Sequence, residues 1–282
     1  MTSVERDPAA PALAAREVVA FNLAAASENK IHDDAVARRL GYHGALVPGV
    51  AVYAYMAHMP VERWGRAWLD NGIAECRLRK PVYDGALVRV TAIADGDALA
   101  LAAESGGVAC ASGEARMAGE RRAAAVRGPM PQPPPAAERP PASEASLAVG
   151  RSLGIAPVVI DRAALAAYLE AVRETDPLYC AEGLLHPGQI LQLANRALLE
   201  NVVLGPWIHL RSRIRHCAAA CVGERLTLHA RITANAVIKG HATVELDAVV
   251  AANEKLVAEL THVAIWRPRQ LAEDGGMTRA TA

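Results

Sequence analysis

The chain has 282 residues, 52% of them hydrophobic and 21% charged, with 30 Lys and Arg balanced by 30 Asp and Glu. Such apolar content excludes a disordered chain, and a formal net charge of zero argues against a nucleic-acid binder or a basic membrane-surface protein. At roughly 100 to 200 residues per domain, the length predicts two domains or one large one.

The N-terminus opens with acids and prolines where a signal peptide would have a basic start and an apolar run. No apolar stretch approaches the ~18 residues of a membrane helix. Five cysteines without close paired spacing fit reduced thiols. The expectation is a cytoplasmic protein whose partners are small molecules or protein, with no nucleic acid and no membrane.

In chain order, Glu17 to Ala26 predicts a strand, followed by a polar loop and a short helix through Leu40. A turn at His43 to Gly49 leads into a long apolar helix, interrupted near Pro60 because proline lacks the N–H that a helix interior needs. After Gly72 the pattern changes to period two, with Asp84-Gly85 as a turn, and predicts several antiparallel strands. Seven prolines between Pro129 and Pro141 mark residues 123–152 as an extended, semi-rigid linker. The second half then repeats the order: a helix from Gln189 and four strands ending near Trp266, with a disordered tail expected at 271–282.

Pro48-Gly49 recurs as Pro187-Gly188 at an offset of 139, and Trp68 recurs as Trp207 at the same offset. The turn glycines Gly85 and Gly223 differ by 138. Three landmarks at one spacing argue for an internal duplication. Each unit reads as α+β, one long helix across an antiparallel sheet.

The stretch Ser27-Glu28-Asn29-Lys30-Ile31-His32, with Asp34, Ala37, Gly41-Tyr42 and Val47-Pro48-Gly49 beyond it, resembles the MaoC-like (R)-specific enoyl-CoA hydratase/dehydratase family. Through the repeat the resemblance covers nearly the whole chain. It implies a double hotdog: an N-terminal unit at 1–122 with the candidate active site, and a C-terminal degenerate unit at 153–270. Two departures stand out. Ser27 occupies the place of the family's catalytic Asp, and Lys30 the place of a proline. In the second half the matching stretch is Glu174 to Tyr179, with Tyr179 in place of the histidine.

The chemistry implied by the resemblance is reversible addition of water across the 2,3 double bond of an acyl thioester. Water must lose a proton and the α-carbon must gain one, which suits His32, a group that exchanges protons near neutrality. The thioester oxygen gains charge, which a helix N-terminal N–H at Gly49 would stabilise. Ser27, Glu28 and Asn29 complete the expected catalytic set, with Glu28 as the substitute carboxylate. Val47, Pro48 and Tyr53 are the expected substrate contacts, although Tyr53 and Tyr55, beside Met56 and Met59, also fit a core and interface role.

Three outcomes stay open: a hydratase, a hotdog that binds acyl-CoA without turnover, and a thioesterase. Coenzyme A enters only as part of the substrate, with an acyl-carrier thioester as the other option, and a homodimer of double hotdogs is expected to be within reach. No metal is expected, since His216-Cys217 and Cys221 lack a second ligand pair. His43 and His58 read as structural, Asp34 as a helix cap, and Trp64, Trp68 and Trp207 as packing anchors. The alternating Arg77 and Arg79, and Arg211, Arg213 and Arg215, read as solvent faces of strands, one of which could clamp a coenzyme A phosphate.

Overall fold

The computed structural model describes residues 13–119 and 130–271. The first stretch holds β1 (Arg16–Val19), α1 (Asp34–Arg39), α2 (Gly49–Trp64), α3 (Arg66–Asn71), β2 (Gly72–Leu78), β3 (Leu87–Asp95), β4 (Ala98–Ser105) and β5 (Val108–Met117). The second holds β6 (Ser152–Gly154), β7 (Val158–Val159), α4 (Arg162–Ala171), α5 (Pro177–Glu182), α6 (Pro187–Leu199), β8 (Ile208–His216), β9 (Arg225–Ile238), β10 (His241–Ala252) and β11 (Lys255–Arg267).

All strands form one antiparallel sheet in the order β1-β3-β4-β5-β2-β8-β11-β10-β9-β6, with β7 also on β9. The two halves therefore share a sheet, joined where β2 pairs β8 from Ile73 opposite Arg215 to Arg77 opposite Arg211. Helices α2 and α6 pack against each other and against the strands of their own halves. Two long helices wrapped by one continuous sheet make this a double hotdog.

Helix α2 has eleven buried residues among its sixteen, so it is apolar nearly all round, as a central helix must be. It runs straight through Pro60, against the sequence expectation, and ends at Gly65, whose φ of 56° breaks the helix while its N–H still bonds Val61. The strand expected over Glu17 to Ala26 stops at Val19. Beyond it Asn22 diverts the backbone, accepting from the Ala24 N–H and taking its own N–H to Asp84, so the ladder cannot continue. Asp33, not Asp34, caps α1 through the Val36 N–H, and Asp34 instead pairs with Arg38.

The proline-rich segment is more than a spacer where it is described. Pro141 bridges Val203, Ser146 ties down the turn at Ser143, and Leu147 is fully buried, so residues 130–152 lie against the second half. Residues 123–129 of the expected linker and 272–282 of the expected tail lie outside the described residues.

Candidate active site

A cavity of about 320 Å³ opens between the halves. The first half contributes Asn29, His32, Tyr42, Val47, Pro48, Gly49 and Val52, and the second contributes Asn195, Trp207 to Leu210, His241 and Gln270. No Asp or Glu among the described residues lines it.

His32 ends a 3-10 turn that Asn29 caps, its Oδ1 accepting from the Ile31 N–H. Below the turn, Ile31, Ala37, Leu40 and Leu46 form a small apolar cluster that fixes the loop. His32 Nδ1 lies 2.7 Å from the Leu46 carbonyl, which can only accept, so Nδ1 carries the proton and Nε2 keeps a lone pair. Burial pushes the imidazole below its ordinary pKa, against the Leu46 bond that raises it. The ring is therefore neutral and basic at Nε2 at pH 7.

Asn29 joins the two halves. Its Oδ1 accepts the Trp207 N–H at 3.1 Å and its Nδ2 donates to the Trp207 carbonyl at 3.0 Å. The same Nδ2 reaches His32 Nε2 at 3.3 Å, so the residue that holds the seam also orients the imidazole.

The other expected residues separate. Ser27 lies off the cavity wall, with its hydroxyl donating to the Asn29 carbonyl. Glu28 is turned outward and paired with Arg139 at 2.9 Å, so it is not in place as a substitute base. Tyr53 is buried in the core, and Val52, one residue earlier on α2, faces the cavity instead. Val47, Pro48 and Gly49 all line the cavity.

Gly49 is glycine for a packing reason. A Cβ there would stand 2.2 Å from Leu78 Cδ1 and 2.7 Å from His209 Nδ1, so the freed space is filled by side chains of β2 and β8 rather than by a ligand. Gly49→Ala is expected to destabilise the fold by about 1 to 3 kcal/mol through this overpacking, read as a lower melting temperature.

The two long helices begin differently. Pro48 gives α2 no side-chain cap; the Ala51 and Val52 N–H groups turn back to the Pro48 carbonyl, and Gly49, the first residue of the helix, lines the cavity. At α6, His186 accepts from the Gly188 N–H and Gln189 accepts from the His186 N–H, closing that helix start. Tyr179, standing where the first half has His32, is fully buried. Glu174 is sunk beside His58 at 2.7 Å, His186 at 3.4 Å and Arg16 at 3.8 Å, and it also accepts the N–H groups of Thr175 and Asp176. Glu174 and Tyr179 are thus packed inside the second half rather than lining the cavity.

His209, Asn195, His241 and Tyr42 also line the cavity, and sequence reasoning missed all four in that role, because each reaches the cavity through packing with residues distant in the chain. Arg79 and Lys80, at the end of β2, also border the cavity and are exposed to solvent, whereas Arg211 and Arg213 pair with Glu245 and Glu75 on the outer face. His216 packs its ring on Trp68 at 4.6 Å, and no three His, Cys, Asp or Glu among the described residues converge as a metal site.

No family model matches the sequence, and no curated protein matches it. Solved structures do. A MaoC domain protein assigned as a dehydratase from Chloroflexus aurantiacus superposes with a TM-score of 0.61 at 13% identity, over 94% of this chain and 100% of that one. Rv0216 from Mycobacterium tuberculosis, described as a double hotdog, gives 0.61 at 15% identity, over 89% and 93%. A MaoC-like dehydratase gives 0.57 at 12% identity, over 89% and 96%. The chain therefore has the double hotdog fold, and its structural neighbours include MaoC-like dehydratases.

Proposed function

We propose that this protein is an acyl-thioester enzyme that reversibly hydrates a 2-enoyl thioester. One observation carries the reading: the basic Nε2 of His32 and the uncapped start of α2 at Gly49 face the same cavity. In the hydration direction water displaces the Asn29 amide from its 3.3 Å contact with His32 Nε2, and that nitrogen takes a proton from the water as its oxygen bonds the β-carbon. Charge moves to the thioester oxygen, where the Gly49 N–H that opens α2 meets it. The imidazolium then returns its proton to the α-carbon, so a single histidine serves as base and acid in turn. Arg79 and Lys80 at the rim suit the phosphates of a coenzyme A or carrier-borne pantetheine.

A second reading has its own support, because no carboxylate among the described residues stands at the cavity to share the proton work with His32. On that reading the cavity binds an acyl thioester without turnover. Incubation with crotonyl-CoA and butyryl-CoA, following the enoyl absorbance and free thiol together, separates the cases. Hydration predicts loss of the enoyl band with no thiol release. Saturable binding without either change supports the second reading, and thiol release from butyryl-CoA would replace both with a thioesterase.

A further inference from the structure

The loop that carries His32 is fastened to the rest of the chain at two neighbouring residues. Asn29 is tied to Trp207 through its amide, and Glu28, one residue earlier, is held by Arg139. The carboxylate takes the guanidinium fork at both oxygens: Nη1 donates to Oε2 at 2.9 Å and Nη2 donates to Oε1 at 3.3 Å. The same Nη1 donates to the Leu199 carbonyl at 2.6 Å, and Nε donates to the Ala136 carbonyl at 3.2 Å. Leu199 is the last residue of α6, so its carbonyl has no partner within the helix and lies at the end that favours a cation.

Arg139 sits on a rigid mount. Pro140 and Pro141 follow it, the Val203 N–H donates to the Pro140 carbonyl at 2.8 Å, and the Ala142 N–H donates to the Val203 carbonyl at 2.9 Å. Its side chain is 15% exposed against 64% for Glu28, so the arginine is the fixed partner and the carboxylate is the one that is fastened. An ordinary surface ion pair contributes little because two long side chains must be ordered to form it. Here two carbonyls already order the guanidinium, which then receives Glu28 through both oxygens. The Asn29 amide alone would act as a pivot, since both of its bonds to Trp207 leave from one planar group. A second anchor at the adjacent residue removes that rotation, and it remains in place when water takes the position of Asn29 at His32 Nε2.

We propose that Arg139 is a positioning residue: through Glu28 it fastens the loop from Ser27 to His32 to the end of α6 and keeps Asn29 and His32 in place at the cavity. The segment joining the two halves thereby takes part in the site, although none of its described residues lines the cavity. Glu28, turned away from the cavity, acts as the handle by which the loop is held. The effect on turnover rests on the acyl-thioester reading, whereas the fastening itself does not.

The test follows hydrogen exchange of the Trp207 backbone N–H, which donates to Asn29 Oδ1, together with crotonyl-CoA hydration. It compares wild type, Glu28→Ala, Glu28→Gln, Arg139→Met and the Glu28→Ala/Arg139→Met double variant. In Glu28→Ala and Arg139→Met the Trp207 N–H should exchange about tenfold faster, while the amides of β10 keep their wild-type rates. The double variant should be no faster than the singles, because all three break one contact. kcat should fall by about tenfold in the same variants with KM little changed. Glu28→Gln, whose amide oxygen still accepts from the guanidinium, should retain most of both properties; a general-base role for Glu28 would make it as slow as Glu28→Ala. Should Arg139→Met not fold, Glu28→Ala decides alone, since that side chain is mostly exposed. Unchanged Trp207 exchange in Glu28→Ala overturns the assignment, as do additive losses in the double variant or faster exchange with kcat unchanged. A wild type that hydrates nothing removes the reaction and this role in it, whatever the exchange shows, so the two failures are told apart.

Discussion

His32→Ala is expected to lower kcat/KM for crotonyl-CoA hydration by about 100-fold to 10,000-fold, the range a single general base and acid supplies. The effect should fall on kcat more than on KM, because the ring acts on the proton and not on the acyl chain. Wild-type kcat/KM should stay on its plateau below pH 6.5 before declining on the acid side. Burial lowers the His32 pKa, so the neutral, active form persists at pH values where an ordinary histidine is already half protonated. An acid limb centred at or above pH 6.5, or a variant as fast as wild type, would remove His32 from the chemistry.

The other large effect concerns stability. Burial alone would raise the Glu174 carboxyl, but the contacts from His186 and His58 outweigh it and hold the group well below the usual carboxylate range. Removing it by Glu174→Ala leaves Arg16 and His58 facing an empty acceptor site and is expected to destabilise by about 3 to 5 kcal/mol. For a chain of this size that lowers the melting temperature by roughly 10 °C. The sign with pH follows from the direction of the shift. The folded state prefers the ionised carboxylate, so this contribution is complete above the unfolded pKa near 4.5 and declines as the pH falls below it. Thermal melts of wild type and variant at pH 7 and pH 3.5 check both parts, since the difference between them should shrink at the lower pH.

What could be read from the sequence followed period and punctuation. The strands from Gly72 to Met117 and from Ile208 to Arg267 lie close to where alternation places them, and the Pro-Gly pairs at 48 and 187 fall at the starts of α2 and α6. The loop bearing Asn29 and His32 was legible as a motif, because its residues act through neighbours close in sequence. Glu28 was not, because its orientation depends on Arg139, more than a hundred residues away. Tyr53 and Val52 could not be told apart on a helix that is apolar on almost every side. His209 depends on a strand irregularity and on contacts with Gly49 and His262, none of which leaves a local trace. Pro60 suggests a break from sequence alone, yet the helix continues because its core packing outweighs one missing hydrogen bond.

The shared sheet has a consequence for how the two halves are free to differ. In a symmetric dimer of single hotdogs, any substitution appears twice, at both ends of the assembly. Here the β2–β8 seam keeps the same pairing within one polypeptide, so each side accepts changes independently. Tyr179 and Glu174 show the result: they are packed inside the second half, while His32 and Gly49, at the corresponding place in the first half, line the cavity. Separate expression of either half would bare a central strand edge at β2 or β8 and invite pairing with other chains, so the division of labour holds only while the two halves stay together.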